Sequence, residues 1–326
     1  MTPPAGAPLF IAKAGWAGAQ ILPLAGDASF RRYFRVVDGD RRAVLMDAPP
    51  PHEDPRPFIS VAEWLCGHGF AAPAILARDL DQGLLLLEDF GDARLREHLD
   101  DAPQDEAMLY ARAVDLLADL HVLPAQQDLA PYDRGVYQRE AGLLTEWFAP
   151  AAGLDLNADA YVAAWDAVLP IAEQDAAPVV SVLRDYHAEN IMLLPEPGRS
   201  HGLGLLDFQD ALAGHPAYDL VSLLQDARRD VSPATERAML DRYMAAAPVS
   251  ADFEAAYAVL GAQRNAKIIG IFTRLWKRDG KPRYLAYLPR MWGLLERDLA
   301  HPALAPVADW FAANVPTDAR GELRAQ

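Results

Sequence analysis

Three side chains carry the clearest chemistry in this sequence: Asp185, Asn190 and Asp207. Asp185 opens the run Asp185-Tyr186-His187-Ala188-Glu189-Asn190, and Asp207 stands in Leu205-Leu206-Asp207-Phe208. Between them, apolar residues 191–194 and a second apolar run from Leu203 flank Pro195-Glu196-Pro197-Gly198-Arg199-Ser200-His201-Gly202. That pattern predicts a β-hairpin with a long, turn-rich loop. With Leu194 facing Leu203, antiparallel register sets Asn190 opposite Asp207, and directly paired residues stand about 4.5 to 5.5 Å apart. An amide oxygen and a carboxylate then meet at one end of the hairpin, with Asp185 just outside in a loop. Such an oxygen-rich corner suits Mg²⁺, a hard cation that prefers carboxylate, carbonyl and water. His187 and Glu189 lie between these groups and could touch a substrate, although exposure on a loop explains them equally well.

The elements that must position these residues can be read from the periodicity. A strand at 22–24, a Gly26-Asp27 turn and an alternating strand over 30–37 come first; Phe30, Arg32, Phe34 and Val36 share one face. Asp38-Gly39 turns tightly into a third strand at 43–46. By itself this could be an ordinary hairpin or a cover for phosphates. A proline-rich link at 49–57 precedes Phe58, Val61, Ala62, Leu65 and Cys66, which recur at helical spacing until Gly67-His68-Gly69 stops the helix. Short strands follow at 73–77 and 83–87. Glu88-Asp89-Phe90-Gly91-Asp92 then marks the change from buried strand to a connector between lobes. From Asp105 the pattern is helical, at 105–120, 137–148, 161–171, 218–227, 234–247, 252–272 and 284–299. His121, at the end of the first of these, is expected to be packed rather than catalytic.

Composition excludes several function classes. The chain has 326 residues, 52% of them hydrophobic, enough for two lobes or one large domain. Its net charge of −16 and pI near 4.8 oppose nucleic acid and anionic membrane as partners. No run reaches the roughly 18 apolar residues that would cross a bilayer. Residues 1–7 lack an export pattern, so a cytoplasmic location is expected. The single cysteine, Cys66, cannot form an internal disulfide and fits a reducing compartment.

Asp-x-x-x-x-Asn followed by apolar-Asp-Phe resembles the catalytic loop and metal-binding segment of the aminoglycoside and choline kinase superfamily. Gly214-His215-Pro216-Ala217-Tyr218-Asp219-Leu220 is similar to the Pro-x-Tyr-Asp-Leu segment that follows there. Gly26-Asp27-Ala28-Ser29-Phe30-Arg31-Arg32-Tyr33-Phe34-Arg35 and Met46-Asp47-Ala48-Pro49-Pro50 resemble the bacterial N-acetylmuramate/N-acetylglucosamine anomeric kinases of cell-wall recycling. The resemblance implies an α+β, bilobal, protein-kinase-like fold. Residues 1–91 would form a small antiparallel-sheet N-lobe covering the nucleotide, and 92–326 a mostly helical C-lobe with the catalytic loop and sugar site. It further implies ATP as co-substrate, Mg²⁺, an amino sugar as acceptor and a monomer. Asp185 would accept the hydroxyl proton, and Asn190 and Asp207 would hold the metal. Gly26 and Ser29 would cover the phosphates, the main chain of Glu88 and Phe90 would take the adenine edge, and Asp219 would brace the catalytic loop.

Two positions depart from the family pattern. Leu183 stands where a histidine usually precedes the base by two residues. Met46 stands where a lysine usually holds the phosphates, and without a cation there the phosphate charge needs another basic group. Arg31 and Arg32 are the nearest candidates, since a guanidinium meets phosphate bidentately. Glu63, on the helix after the proline-rich link, could orient such an arginine or simply be exposed. In an acidic chain, Arg264, Lys267, Arg274, Lys277, Arg278, Lys281 and Arg283 form a basic concentration interrupted only by Asp279. A solvated surface accounts for most of it. Arg264, Lys267 and Arg274 can share a helix face, and they are the candidates for the lactyl carboxylate that distinguishes N-acetylmuramate from N-acetylglucosamine. Two other functions compete with the sugar 1-kinase. An aminoglycoside or amino-alcohol kinase predicts an acidic pocket, and a non-catalytic nucleotide-binding protein is suggested by the missing lysine.

Overall fold

A computed structural model describes residues 1–24, 30–173, 178–195 and 200–323. The chain packs as two compact units, Met1–Arg112 with Ala188–Ala211, and Ala113–His187 with Leu212–Gln326.

The first unit is built on an antiparallel sheet of order β1-β2-β3-β5-β4. Its strands are β1 (Gln20–Pro23), β2 (Arg32–Asp38), β3 (Arg41–Asp47), β4 (Ile75–Asp79) and β5 (Leu84–Glu88). Strand alternation divides their side chains between two faces. Phe34, Val36, Ala43, Leu45, Leu84 and Leu86 bury one face against Ala7, Phe10 and Ile11 of α1 (Ala7–Lys13) and against Trp16. Tyr33, Met46 and Leu85 stand in register and so take the other face, as do Arg35, Val44 and Leu87. The helix predicted after the proline-rich link is α2 (Arg56–Gly67). Its Phe58 stacks on Phe208 with ring centroids 5.1 Å apart. The last two strands of the sheet lie one to two residues later than the apolar runs suggest, with an irregularity between Ile75 and Ala77.

The central hairpin forms from β7 (Ile191–Leu193) and β8 (Leu203–Leu205), but its register differs by one residue from the expected one. Leu193, not Leu194, faces Leu203. Leu194 donates instead to Gly202 O at 2.9 Å, and Asn190 stands opposite Leu206, whose N–H bonds Asn190 O at 3.0 Å. The described end of the return loop is tightly turned. Ser200 and His201 adopt left-handed backbone, φ 51° and 56°, in a tight turn over Ser200–Gly202. The spacing of apolar residues carries no record of that turn. Two contacts tie the hairpin to α3 (Leu95–Asp101) and its approach: a bridge from Arg94 to Met192, and a 2.7 Å bond from Leu193 N–H to Ala93 O.

The chain passes into the second unit within α4 (Glu106–His121). That unit contains α5 (Arg134–Ala141), a one-turn α6 (Ala149–Ala151), α7 (Ala158–Val168), α8 (Ala217–Leu224), α9 (Pro233–Ala246), α10 (Phe253–Lys277), α11 (Leu288–Leu299) and α12 (Ala305–Asn314), with the paired short strands β6 (Val180–Val182) and β9 (Leu212–Gly214). The 25-residue α10 is its axis, buried along most of its length and packed by α5, α8, α11 and the wide turn Leu144–Phe148. A helix buried on nearly all sides belongs inside a domain, and its buried Gln263, Arg264, Asn265 and Thr273 find polar partners there. Close approach needs Gly270, where a Cβ would lie 2.3 Å from the Leu143 carbonyl carbon. The helix runs five residues past the predicted 272 and so takes in Arg274. The predicted helix over 284–299 divides into a 3₁₀ segment, Pro282–Tyr287, and α11. An α+β chain with a small antiparallel sheet and a large helical part is the fold class that the family resemblance implied. Among the described residues no helix is long and apolar enough to cross a membrane.

Candidate active site

Asp185 follows β6 in the second unit, and its loop is fixed from beneath by Asp219. This fully buried carboxylate, in the first turn of α8, accepts the backbone N–H groups of Leu183 at 2.7 Å and Arg184 at 2.8 Å. Arg184 is held at φ 69°, a conformation a non-glycine residue keeps only where its surroundings impose it. His121 is buried as expected, with Nε2 3.6 Å from Asp219 and Nδ1 2.8 Å from the Tyr243 hydroxyl. The brace uses the backbone of Leu183, whose side chain is core, so a leucine there leaves the brace intact. His215 Nδ1 accepts the Ala217 N–H at 3.1 Å at the start of α8, and burial pulls the ring's pKa down to about 4.

The guanidinium of Arg184 pairs with Glu140 of α5, which also accepts from Tyr132 and from Lys267 Nζ at 2.9 Å. Lys267 reaches the Tyr218 hydroxyl at 3.2 Å as well. Burial opposes the charge of Asp185, but Lys267, His187, Arg264 and Arg184 more than offset it and hold the carboxyl below its usual range. Arg264 is buried, with Nη2 2.9 Å from Ser222 Oγ, and its Nη1 has no partner among the described residues. Arg264 and Lys267 thus meet α8 together. Arg274, ten residues beyond Arg264, lies about 15 Å further along the helix axis. His187 is buried rather than loop-exposed, while Glu189 pairs with Arg96.

In the first unit, Asn190 and Asp207 meet despite the altered register, with Asn190 Nδ2 3.4 Å from Asp207 Oδ2. Asp207 lies past the end of β8 with φ 60°, and this left-handed turn re-aims its carboxylate. Gln209 Nε2 supports Asp207 Oδ1 at 3.0 Å. The pair fits Mg²⁺ in its donor chemistry: a carboxylate open to solvent beside an amide whose oxygen replaces its nitrogen on a half-turn. Among the described residues no group of three or more His, Cys, Asp or Glu side chains could hold an ion.

The two candidate arginines have different surroundings. Arg31 places Nη2 3.9 Å from Asp207 Oδ1 and Nε 3.7 Å from Glu53 Oε2, with its side chain mostly buried. Arg32 Nε binds the buried Asp47 at 2.8 Å. Burial, opposed by Arg31 and reinforced by Asp207 and Glu53, pushes the neighbouring Tyr33 hydroxyl up to about 12. At the end of β5, Glu88 N–H bonds Ala74 O at 2.8 Å, and Arg35 fixes Asp89 at 2.7 Å, shaping the backbone on either side of Phe90. Gly26 and Ser29 lie outside the described residues. Glu63 forms an exposed pair with Arg78 at 3.2 Å. Sequence reasoning missed Glu53, Arg35 and Glu140. Glu53 lies in an aperiodic proline-rich link, whereas Arg35 alternates with Tyr33 and could have been found from that phase.

The sheet-bearing unit, the helical unit and the two motifs define a phosphotransferase of protein-kinase-like fold. The model of the phosphotransferase enzyme family matches residues 20–260, and the chain belongs to that family. A Caulobacter vibrioides protein named N-acetylmuramate/N-acetylglucosamine kinase is 39% identical over 95% of this chain and 96% of its own length. A Pseudomonas aeruginosa protein of the same name is 40% identical over 94% and 92%. Among solved structures, choline kinase LicA from Streptococcus pneumoniae superposes with a TM-score of 0.62 at 13% identity, covering 91% of this chain and 97% of that one. The ADP-bound aminoglycoside phosphotransferase APH(2'')-Ib superposes with a TM-score of 0.61 at 12% identity, covering 93% and 98%.

Proposed function

We propose that the protein is an ATP-dependent sugar kinase that phosphorylates the anomeric hydroxyl of N-acetylmuramate and N-acetylglucosamine, as a cytoplasmic monomer serving peptidoglycan recycling. The observation that carries the sugar assignment is the charge around Asp185: Lys267, His187, Arg264 and Arg184 favour its ionised form, and the nearby Glu140 is neutralised by Arg184 and Lys267. A polycationic aminoglycoside needs several unneutralised carboxylates there. An amino sugar that can bear a lactyl carboxylate is suited by guanidinium and ammonium groups. The proteins named for these two sugars, alike over nearly their whole length, support the same choice.

In this reading Asp185 accepts a hydrogen bond from the attacking hydroxyl and takes its proton as oxygen bonds to the γ-phosphorus and the bond to ADP breaks. The transition state is loose, so little proton transfer is needed early and a carboxylate of low basicity suffices. Asn190 and Asp207 would hold Mg²⁺, which when bound supplies charge neutralisation at the phosphates. Arg31 replaces the lysine absent at Met46, because Arg32 is committed to Asp47. The main chain of Glu88 and Phe90 takes the adenine edge, making 1–91 the nucleotide lobe, and a phosphate-covering role for Gly26 and Ser29 rests on the family resemblance alone. Arg264, with Lys267 beside it against α8, faces the sugar's acid group, and Arg274, about 15 Å further along α10, is left out of that contact. The test is ³¹P NMR of products from ATP, Mg²⁺ and a panel of sugars and aminoglycosides. An anomeric phosphate from both amino sugars is expected; a 6-phosphate, or turnover of aminoglycosides alone, overturns the proposal.

A further inference from the structure

The segment after α8 combines a rigid backbone with a buried carboxylate oxygen that the described protein leaves without a partner. All eight residues of α8 are buried, and Gln225 and Asp226, just beyond it, are each 1% exposed. Asp226 Oδ1 accepts the Arg228 N–H at 2.8 Å, while Oδ2 is buried without a hydrogen bond among the described residues. A buried ionisable oxygen left unpaired is costly and calls for a partner. The segment has no slack with which to find one. On one side Gln225 is fixed by Asn265 at 2.7 Å and by Asp298 at 2.9 Å. On the other, Arg290 of α11 binds Ala227 O at 3.0 Å and Asp230 at 2.6 Å.

The free oxygen belongs to a cluster next to the catalytic loop. Arg228 Nη1 stands 3.5 Å from His187 Nε2, and His187 donates its backbone N–H to Asp185 O at 3.1 Å. The charges of Asp226, Arg228, Asp185 and Arg264 all act on this imidazole. Arg264, anchored on Ser222 of α8, contributes a second buried polar atom without a partner among the described residues, Nη1. One free acceptor and one free donor, both buried in the unit that carries Asp185, suit a ligand that offers hydroxyl or amide N–H groups together with an oxygen acceptor.

Resting on the sugar-kinase reading, we propose that Asp226 is the recognition residue shared by both amino sugars. Its Oδ2 accepts a hydrogen bond from a ring hydroxyl or the acetamido N–H, while Arg264 Nη1 donates to the sugar's oxygens. The test compares wild type with the isosteric Asp226→Asn, measuring KM for each sugar and for ATP, kcat, and the melting temperature. The amide loses the charge-assisted acceptor, so KM for both sugars should rise about ten-fold or more, with ATP KM and melting temperature nearly unchanged. Thermal-shift titration with N-acetylglucosamine, without nucleotide, should show the same weakening. Unchanged sugar KM in a folded variant, or a lowered melting temperature with all kinetic constants altered alike, overturns this role for Asp226 alone. Wild-type protein that turns over neither sugar overturns the parent reading and this inference with it.

Discussion

Asp185 is an aspartate kept ionised by its surroundings: burial opposes its charge, and Lys267, His187, Arg264 and Arg184 overcome that opposition. The active form is the carboxylate. Because its pKa lies below the ordinary 3.8, Asp185 should lose activity only as pH falls into and below that range. kcat should therefore show no acid limb from this group between about pH 5 and 8, and Asp185→Asn should cut kcat about 10²- to 10⁴-fold with nucleotide affinity near normal. A limb near neutrality that Asp185→Asn leaves in place would assign the base elsewhere. The two arginines separate just as sharply. Arg31→Ala removes the guanidinium 3.9 Å from Asp207 and should raise ATP KM and slow transfer together. Arg32→Ala should leave ATP KM alone and lower stability by roughly 1 to 3 kcal/mol, since it strands buried Asp47 but one partner was open to solvent. Urea midpoints and ATP kinetics on both variants decide this, and the reverse assignment predicts the opposite pattern.

The elements that position these residues depend on neutral and charged partners being in the right state. His215 accepts the Ala217 N–H through Nδ1, so the ring must be unprotonated there, and burial lowers its pKa from 6.5 to about 4. The folded pKa lies below the unfolded one, so the unfolded chain binds the proton first. The contribution is complete above about pH 6.5 and is lost as pH falls toward 4, in total on the order of 3 kcal/mol. His215→Asn keeps an acceptor for Ala217, and it should flatten urea midpoint against pH across this window; an unchanged slope would place the titration on other groups. Much of this scaffold was legible in the sequence. The alternation at 30–37 became β2, and Pro216-Ala217-Tyr218-Asp219 became the first turn of α8 with Asp219 in its bracing position. The hairpin register was not legible, because left-handed Ser200 and His201 leave no apolar signature, and Asp207 reaches Asn190 only through its own φ of 60°. Nor was the pairing of Glu53 with Arg31 or of Glu140 with Lys267, because a lone glutamate has no period until a tertiary partner is known.

At the scale of the whole molecule, charge works against the proposed substrates, since a net −16 repels a nucleotide and an acidic sugar alike. The local cations must outweigh that field, and the two contributions respond differently to salt. Long-range repulsion between exposed charges is largely screened once the Debye length falls to about 8 Å at physiological ionic strength, whereas contacts to buried groups are screened much less. Arg264 is only 5% exposed, and the ion pair of Lys267 with Glu140 is similarly sheltered. N-acetylmuramate and N-acetylglucosamine differ by one carboxylate, so the ratio of their kcat/KM values isolates how that single charge is treated. Raising NaCl from about 10 mM to about 150 mM should remove repulsion of the carboxylate on approach and leave its buried partner in place. The ratio of N-acetylmuramate to N-acetylglucosamine kcat/KM should then rise, by roughly two- to three-fold for a barrier change of somewhat over half a kcal/mol. Competition from chloride is avoided by repeating the series with a larger, weakly bound anion. A ratio that falls with salt would mean that the carboxylate meets exposed cations such as Lys277 and Arg278 at the end of α10, and Arg264 would lose its place in sugar recognition.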